Sequence, residues 1–248
     1  MASMKAIGSL LIVTELGRPL FGSYGKEAVR VHSLKAMALA LVGLGMLAMG
    51  AIAAKAADRP VKIVALGDSL TAGYGLNRLD AFPEKLEKAL KAKGIAVEIG
   101  NAGVSGDTAS GGLSRLDWSV GEGTDAVIIE LGANDMLRGI DPKVTRTALE
   151  AIIQRLKARG IEVLLSGMRA APNMGDEYLR DYDAIFPELA AKHGLVYYPF
   201  FIEGIAAQAK FLLRDGIHPN AAGVSQIVTS ITPKVEELIA RVRKKRGS

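Results

Sequence analysis

Cysteine is missing from this chain altogether, which excludes disulfide frameworks, thiolate nucleophiles and cysteine-bound zinc while leaving the redox compartment open. Aromatic residues make up only 5% of the chain and Trp118 is its single tryptophan, a thin supply for stacking on sugar rings. Basic charge is scarcer than the net value of +5 suggests. Six Lys/Arg against two Asp/Glu fall before Ala57, and Arg241, Arg243, Lys244, Lys245 and Arg246 close the chain. The body between them is slightly acidic, so the gathered basic surface that nucleic acid requires is lacking. The tail reads as a solvated helix end sooner than as a lipid or RNA contact. Nucleotide loops are absent too. Gly67, Gly73 and Gly75 crowd one segment, but no lysine follows to make a P-loop, and Arg78 stands where the dinucleotide pattern needs its last glycine. The nucleophile elbow G-x-S-x-G fails at Ser69, where Thr71 replaces glycine, and at Ser105, where Asp107 does.

What is present begins with an uncharged stretch, Ala36 to Ala54, preceded by Arg30 and Lys35 and followed by Ala54-Lys55-Ala56. A positive flank, an apolar middle and an A-x-A exit describe a secretory signal peptide. The expectation is therefore an export segment over residues 1–56, cleaved after Ala56, and one folded domain over 57–248. An uncleaved membrane anchor is the rival reading, because the stretch nearly suffices to span a bilayer. Either arrangement puts the body outside the cytoplasm, in the periplasm or an equivalent compartment.

From Val61 onward, short apolar runs alternate with amphipathic ones. Strands are expected at Val61–Leu66, Ala96–Gly100, Ala126–Leu131, Ile161–Ser166 and Leu195–Tyr198. Helices are expected at Phe82–Lys93, Pro142–Arg159, Asp176–His193 and Ala221–Arg243, two of them closed by Gly94 and Gly160. Regular alternation with near-continuous apolar strands predicts one α/β domain, a three-layer α/β/α sandwich around a five-stranded parallel sheet of the flavodoxin-like kind. Strand order cannot be read from such a pattern.

Open parallel sheets bind ligands beyond the carboxyl ends of their strands. Gly67-Asp68-Ser69-Leu70 follows the first strand, Asn101 to Asp107 the second, and Gly132-Ala133-Asn134-Asp135 the third. A serine attacks a carbonyl only when a base removes its proton, and histidine is the usual base near neutral pH. Of the three histidines, His32 lies in the export segment and His193 at a helix end, where histidines commonly cap. His218 remains, with Asp215 three residues earlier, close enough to fix its tautomer. Each piece has a bland reading. Gly-Asp-Ser is usually a turn, Asp-x-x-His is often a capping pair or half a metal site, and a lone asparagine is a turn former. No further ligand-type residues lie nearby, so no metal is expected.

Taken in order, Gly67-Asp68-Ser69-Leu70, Gly106, Gly132-Ala133-Asn134-Asp135 and Asp215-Gly216-Ile217-His218-Pro219-Asn220 resemble the four blocks of the SGNH (GDSL) hydrolases. The resemblance spans nearly the whole body. It is strongest to the bacterial periplasmic subgroup of acyl-CoA thioesterase I, lysophospholipase and arylesterase. It implies a cofactor-free serine esterase or thioesterase acting through an acyl-serine intermediate on a small acyl ester, a thioester or a lysophospholipid. It implies Ser69 as nucleophile, His218 as base, Asp215 as its orienting acid, and an oxyanion hole from the N–H groups of Ser69 and Gly106 with the amide of Asn134. Glycine at 106 lets the backbone approach the oxyanion closely. Asp68, Asp107 and Asp135 are read as turn and cap residues. Met136, Leu137, Ile140, Met168, Pro172 and Met174 are the expected acyl contacts, some of them ordinary core, in an adaptable apolar groove. No nucleic acid partner is expected, and membrane contact only through the export segment or a lipid substrate. The alternatives are a carbohydrate O-deacetylase of the cell envelope and a non-catalytic binding module held outside the membrane.

Overall fold

The computed structural model describes residues 59–247; the export segment expected over residues 1–56 lies outside them. The sheet comprises β1 (Val61–Gly67), β2 (Val97–Gly103), β3 (Ala126–Glu130), β4 (Glu162–Ser166) and β5 (Val196–Tyr198). All pairs are parallel, in the order β2-β1-β3-β4-β5. Every residue of β3 is buried, as expected of a central strand covered on both faces. The helices are α1 (Ser69–Ala72), α2 (Phe82–Ala92), α3 (Ala109–Ser114), α4 (Leu116–Ser119), α5 (Ala133–Leu137), α6 (Pro142–Ala158), α7 (Asp176–Asp183), α8 (Ile185–His193) and α9 (Ala221–Arg246). On one face α9 packs across β1, β3, β4 and β5 and against α2; on the other, α6 joins α3, α8 and β4. The three-layer sandwich is thus the observed architecture.

The strand order creates the position of the site. The chain leaves β1 for β2 on one side, then crosses back over β1 to place β3 on its other side. Such a reversal opens a crevice between the carboxyl ends of the two central strands. At that edge Gly67 pairs with Gly103 on one flank and with Glu130 on the other.

Three expectations need correction. The single helix over 176–193 is two, α7 and α8, divided at Ala184. Pro187 is the cause: it has no N–H to donate and its ring crowds the carbonyl four residues back, that of Asp183. β2 continues to Gly103 rather than ending at Gly100, because Ala102 and Gly103 still pair with Leu66 and Gly67. Backbone pairing, not apolarity, sets its end. The basic tail is docked, not merely solvated. Arg246 bonds the Asp125 carboxylate at 2.5 Å and the carbonyls of Arg59 and Pro60, and Lys245 donates to the Gly160 carbonyl. These contacts carry α9 past Arg243. The short helices α1, α3, α4 and α5 had no periodic signal long enough to announce them.

Candidate active site

Ser69 opens α1, immediately after β1. Asp68 caps this one-turn helix, its Oδ1 accepting the Leu70 N–H at 2.9 Å. Gly67 has no space for a side chain: a Cβ would lie 2.0 Å from Thr71 Oγ1 and 2.7 Å from Glu130 Oε2. The missing Cβ lets the helix turn tightly over the strand end, which presents Ser69 upward.

Ser69 Oγ and His218 Nε2 are 2.9 Å apart, and His218 Nδ1 and Asp215 Oδ2 are 2.8 Å apart. The structure therefore joins the three residues into one hydrogen-bonded chain across 149 positions of sequence. Asp215 Oδ1 accepts the backbone N–H groups of His218 and Ile217. Those two bonds, with the imidazole contact, hold its carboxyl down at about 2, so it is a fixed anion at any ordinary pH. The loop carrying the pair is clamped from below. Leu213 N–H donates to the His218 carbonyl, and the Asn220 amide donates to the carbonyls of Lys210 and Leu212 while its oxygen caps α9. Tyr74 lies against the outer face of the imidazole, ring centroids 4.4 Å apart. Its position was not visible in the sequence.

Gly106 sits at φ +86° in a turn closed by the Asp107 N–H on the Val104 carbonyl at 3.1 Å. That turn needs a positive φ at its third residue, which glycine adopts without strain. The turn is braced by Arg115, whose guanidinium bonds Asp107 at 2.5 Å and the Gly67 carbonyl at 2.9 Å. Asn134, in α5, reaches between the other two strand ends. Its Nδ2 donates to Asp68 Oδ2 and to the Asp107 carbonyl, both at 3.0 Å. Asp135 ties α5 to its neighbours, accepting the Ala109 N–H at 2.8 Å and the Thr145 hydroxyl at 3.0 Å.

The aspartates expected only as turn and cap residues thus do more. Asp68 and Asp135 are completely buried, and both hold the Asn134 segment in place. Burial raises the carboxyls of both Asp68 and Asp135 above the ordinary range. Sequence reasoning missed Glu130, fully buried beside Asp68, although a charged residue ending the otherwise apolar run AVIIE was a signal that could have found it. His193 is elsewhere, its Nε2 3.0 Å from Glu150.

The expected acyl contacts separate. Leu137 is 57% exposed at the site edge, and Met136 is half-buried against the core. Ile140 is half-buried, its carbonyl accepting the Tyr178 hydroxyl. Met168, two residues beyond the end of β4, is a core residue with its side chain covered, not a groove wall. Pro172 is exposed in a short 3-10 turn, and Met174 lines a different cleft with Asp141, Asp176, Tyr178 and Asp181.

A serine, a histidine and a carboxylate in series at the carboxyl edge of a doubly covered parallel sheet are the equipment of a serine hydrolase. The chain belongs to the GDSL-like Lipase/Acylhydrolase family, which matches residues 65–225. It is 34% identical to esterase TesA of Pseudomonas aeruginosa over 201 residues, covering 81% of this chain and 99% of the relative. Identity to thioesterase 1/protease 1/lysophospholipase L1 of Escherichia coli K12 is 35% over 178 residues, covering 71% and 84%. Among solved structures, the SGNH-hydrolase esterase AlinE4 matches with a TM-score of 0.62 at 42% identity, covering 72% of this chain and 96% of AlinE4.

Proposed function

We propose that this protein hydrolyses carboxylic esters and thioesters by two-step acyl transfer through Ser69. The observation that carries the reading is the Ser69–His218–Asp215 chain, with both links below 3 Å. Ser69 Oγ attacks the acyl carbonyl while His218 Nε2 takes its proton; His218 then gives that proton to the departing alcohol or thiol. A water molecule, deprotonated by the same nitrogen, attacks the acyl-serine, and the proton returns to Ser69 as the acid leaves. Asp215 holds the proton-bearing Nδ1 in place and stabilises the transient imidazolium.

The N–H groups of Ser69 and Gly106 and the amide of Asn134 receive the oxyanion. Asn134 donates both its protons in the resting state, so one bond is exchanged. The bond to the Asp107 carbonyl is the neutral one and yields; the charge-assisted bond to Asp68 is the stronger and stays. Leu137, Val104, Tyr74 and Ile217 are exposed around this edge, which favours acyl chains of medium length over acetate and supports aryl esters, acyl thioesters and lysophospholipids as the substrate class. The segment 36–56 supports action outside the cytoplasm.

Labelling with a fluorophosphonate probe, read by mass spectrometry of the peptide, tests the nucleophile. An adduct on Ser69 is expected, and folded protein without one would refute the assignment. A series of nitrophenyl esters tests chain length, with activity confined to acetate counting against the acyl reading. Sequencing the N-terminus of protein purified from its native host tests export. Residues before Ala57 in the major species would refute cleavage there.

A further inference from the structure

Glu130 is the last residue of β3, registered opposite Gly67, and it is fully buried. Its Oε2 accepts the Thr71 hydroxyl at 2.8 Å and the Asp68 N–H at 3.4 Å, while Oε1 meets no donor. Glu130 lies beside the equally buried Asp68, whose backbone N–H it accepts. Two buried carboxyls side by side do not both stay ionised, and a carboxylate buried with a vacant oxygen is the costlier of the two to charge. Burial first, and then the neighbouring Asp68 charge, push the Glu130 carboxyl well above the ordinary range. The proton therefore resides on Glu130, and Asp68, which accepts from Leu70 and Asn134, keeps the charge.

Asp68 is also the group on which Asn134 hangs. One of its oxygens holds the α1 turn through the Leu70 N–H, and the other receives Asn134 Nδ2. A line of contacts thus runs from Thr71 through Glu130 and Asp68 to Asn134. We propose that Glu130 is a positioning residue of the reaction: as a neutral acid it donates to Asp68 and thereby fixes the carboxylate that aims the Asn134 amide at the oxyanion. The donated proton has a second effect. It draws charge from Asp68, which would otherwise stand as a full anion within one side chain of the developing oxyanion. This inference rests on the reading of Asn134 as an oxyanion donor.

The experiment measures kcat and KM on p-nitrophenyl butyrate for E130Q, E130L, T71V, N134A and the double variant E130L/N134A. Near-ultraviolet circular dichroism establishes that each is folded. E130L removes the donor and is expected to lower kcat about 10- to 100-fold with KM within about twofold, since a misaimed group affects the transition state before it affects binding. E130Q keeps a donor toward Asp68 and an acceptor toward Thr71, so it should restore kcat to within about threefold of wild type. In the N134A background, E130L should cost no more than about a further twofold, because residues acting through one another are not additive. T71V loosens the same link without emptying the core and should lower kcat roughly three- to tenfold, which serves if E130L does not fold.

Folded E130L or T71V at the wild-type kcat would overturn the proposal. So would E130Q as slow as E130L, or a full additional loss in the double variant. N134A at the wild-type rate would instead remove the oxyanion reading beneath it. N134A slowed beside an unaffected E130L would remove the inference about Glu130 alone.

Discussion

Replacing Asn134 with alanine separates the two duties of that side chain. The amide donates to Asp68 Oδ2 and to the Asp107 carbonyl in the resting protein, and under the proposed mechanism it exchanges the second bond for the oxyanion. Losing one such donor lowers kcat on the order of 10²–10³, or about 2.7–4 kcal/mol of transition-state stabilisation. KM should change little, because the bond to the substrate oxygen strengthens only as charge develops there. The ground state is affected as well. Asp68 is wholly buried, and the substitution leaves its Oδ2 short of a donor at a cost of about 1–3 kcal/mol. For a domain of this size that lowers Tm by roughly 2–12 °C. Steady-state kinetics on p-nitrophenyl butyrate and calorimetry read the two effects, and fluorophosphonate labelling should persist because Ser69 and His218 are untouched. A lowered Tm with kcat within about threefold of wild type would refute the oxyanion role and leave Asn134 a structural tie.

D215N keeps an acceptor for the backbone N–H groups of Ile217 and His218 but turns a donor toward His218 Nδ1, which selects the wrong tautomer; kcat should fall on the order of 10³–10⁴, and a loss below tenfold would dismiss Asp215 as the orienting acid. H218A should abolish most turnover, whereas H193A removes only a contact to Glu150 and should retain the wild-type kcat; equal damage from the two would mean the base was misassigned. G67A forces a Cβ to within 2.0 Å of Thr71 Oγ1 between a strand end and a helix that cannot both move. It should destabilise the fold by about 2–3 kcal/mol, read as a lower urea midpoint, and an unchanged midpoint would contradict the packing described at this edge. Burial raises the carboxyls of Glu130 and Asp68 above 4.5 and 3.8, so the folded state holds protons there that the unfolded state has lost. Stability therefore falls as pH rises from those ordinary values toward the folded ones. E130Q should flatten that fall, and an identical slope of Tm against pH in both proteins would place no proton on Glu130.

Much of this molecule was legible without coordinates, for a physical reason. Buried parallel strands such as AVIIE are continuously apolar, long helices such as α6 and α9 repeat their apolar residues with the helical period, and both patterns are local. The elimination that singled out His218 as the candidate base was equally local, because only three histidines exist and each has a readable neighbourhood. The break at Ala184 was legible in principle through Pro187, though the periodicity across it concealed the stop. Contacts between distant segments were not legible. The register of Gly67 against both Gly103 and Glu130 follows from a strand order that no local pattern encodes, and that register brings Ser69, Gly106 and Asn134 to one edge. The fates of Met168 and Leu137, one covered and one exposed, depend on which loop turns inward. The largest difference concerns the aspartates. The sequence by itself determined that Asp68 would cap a turn, since Gly-Asp-Ser is a local geometry. Only the tertiary structure decided that the cap is buried against Glu130 and bonded to Asn134, because a carboxyl's proton and partners are set by what the fold excludes from water around it.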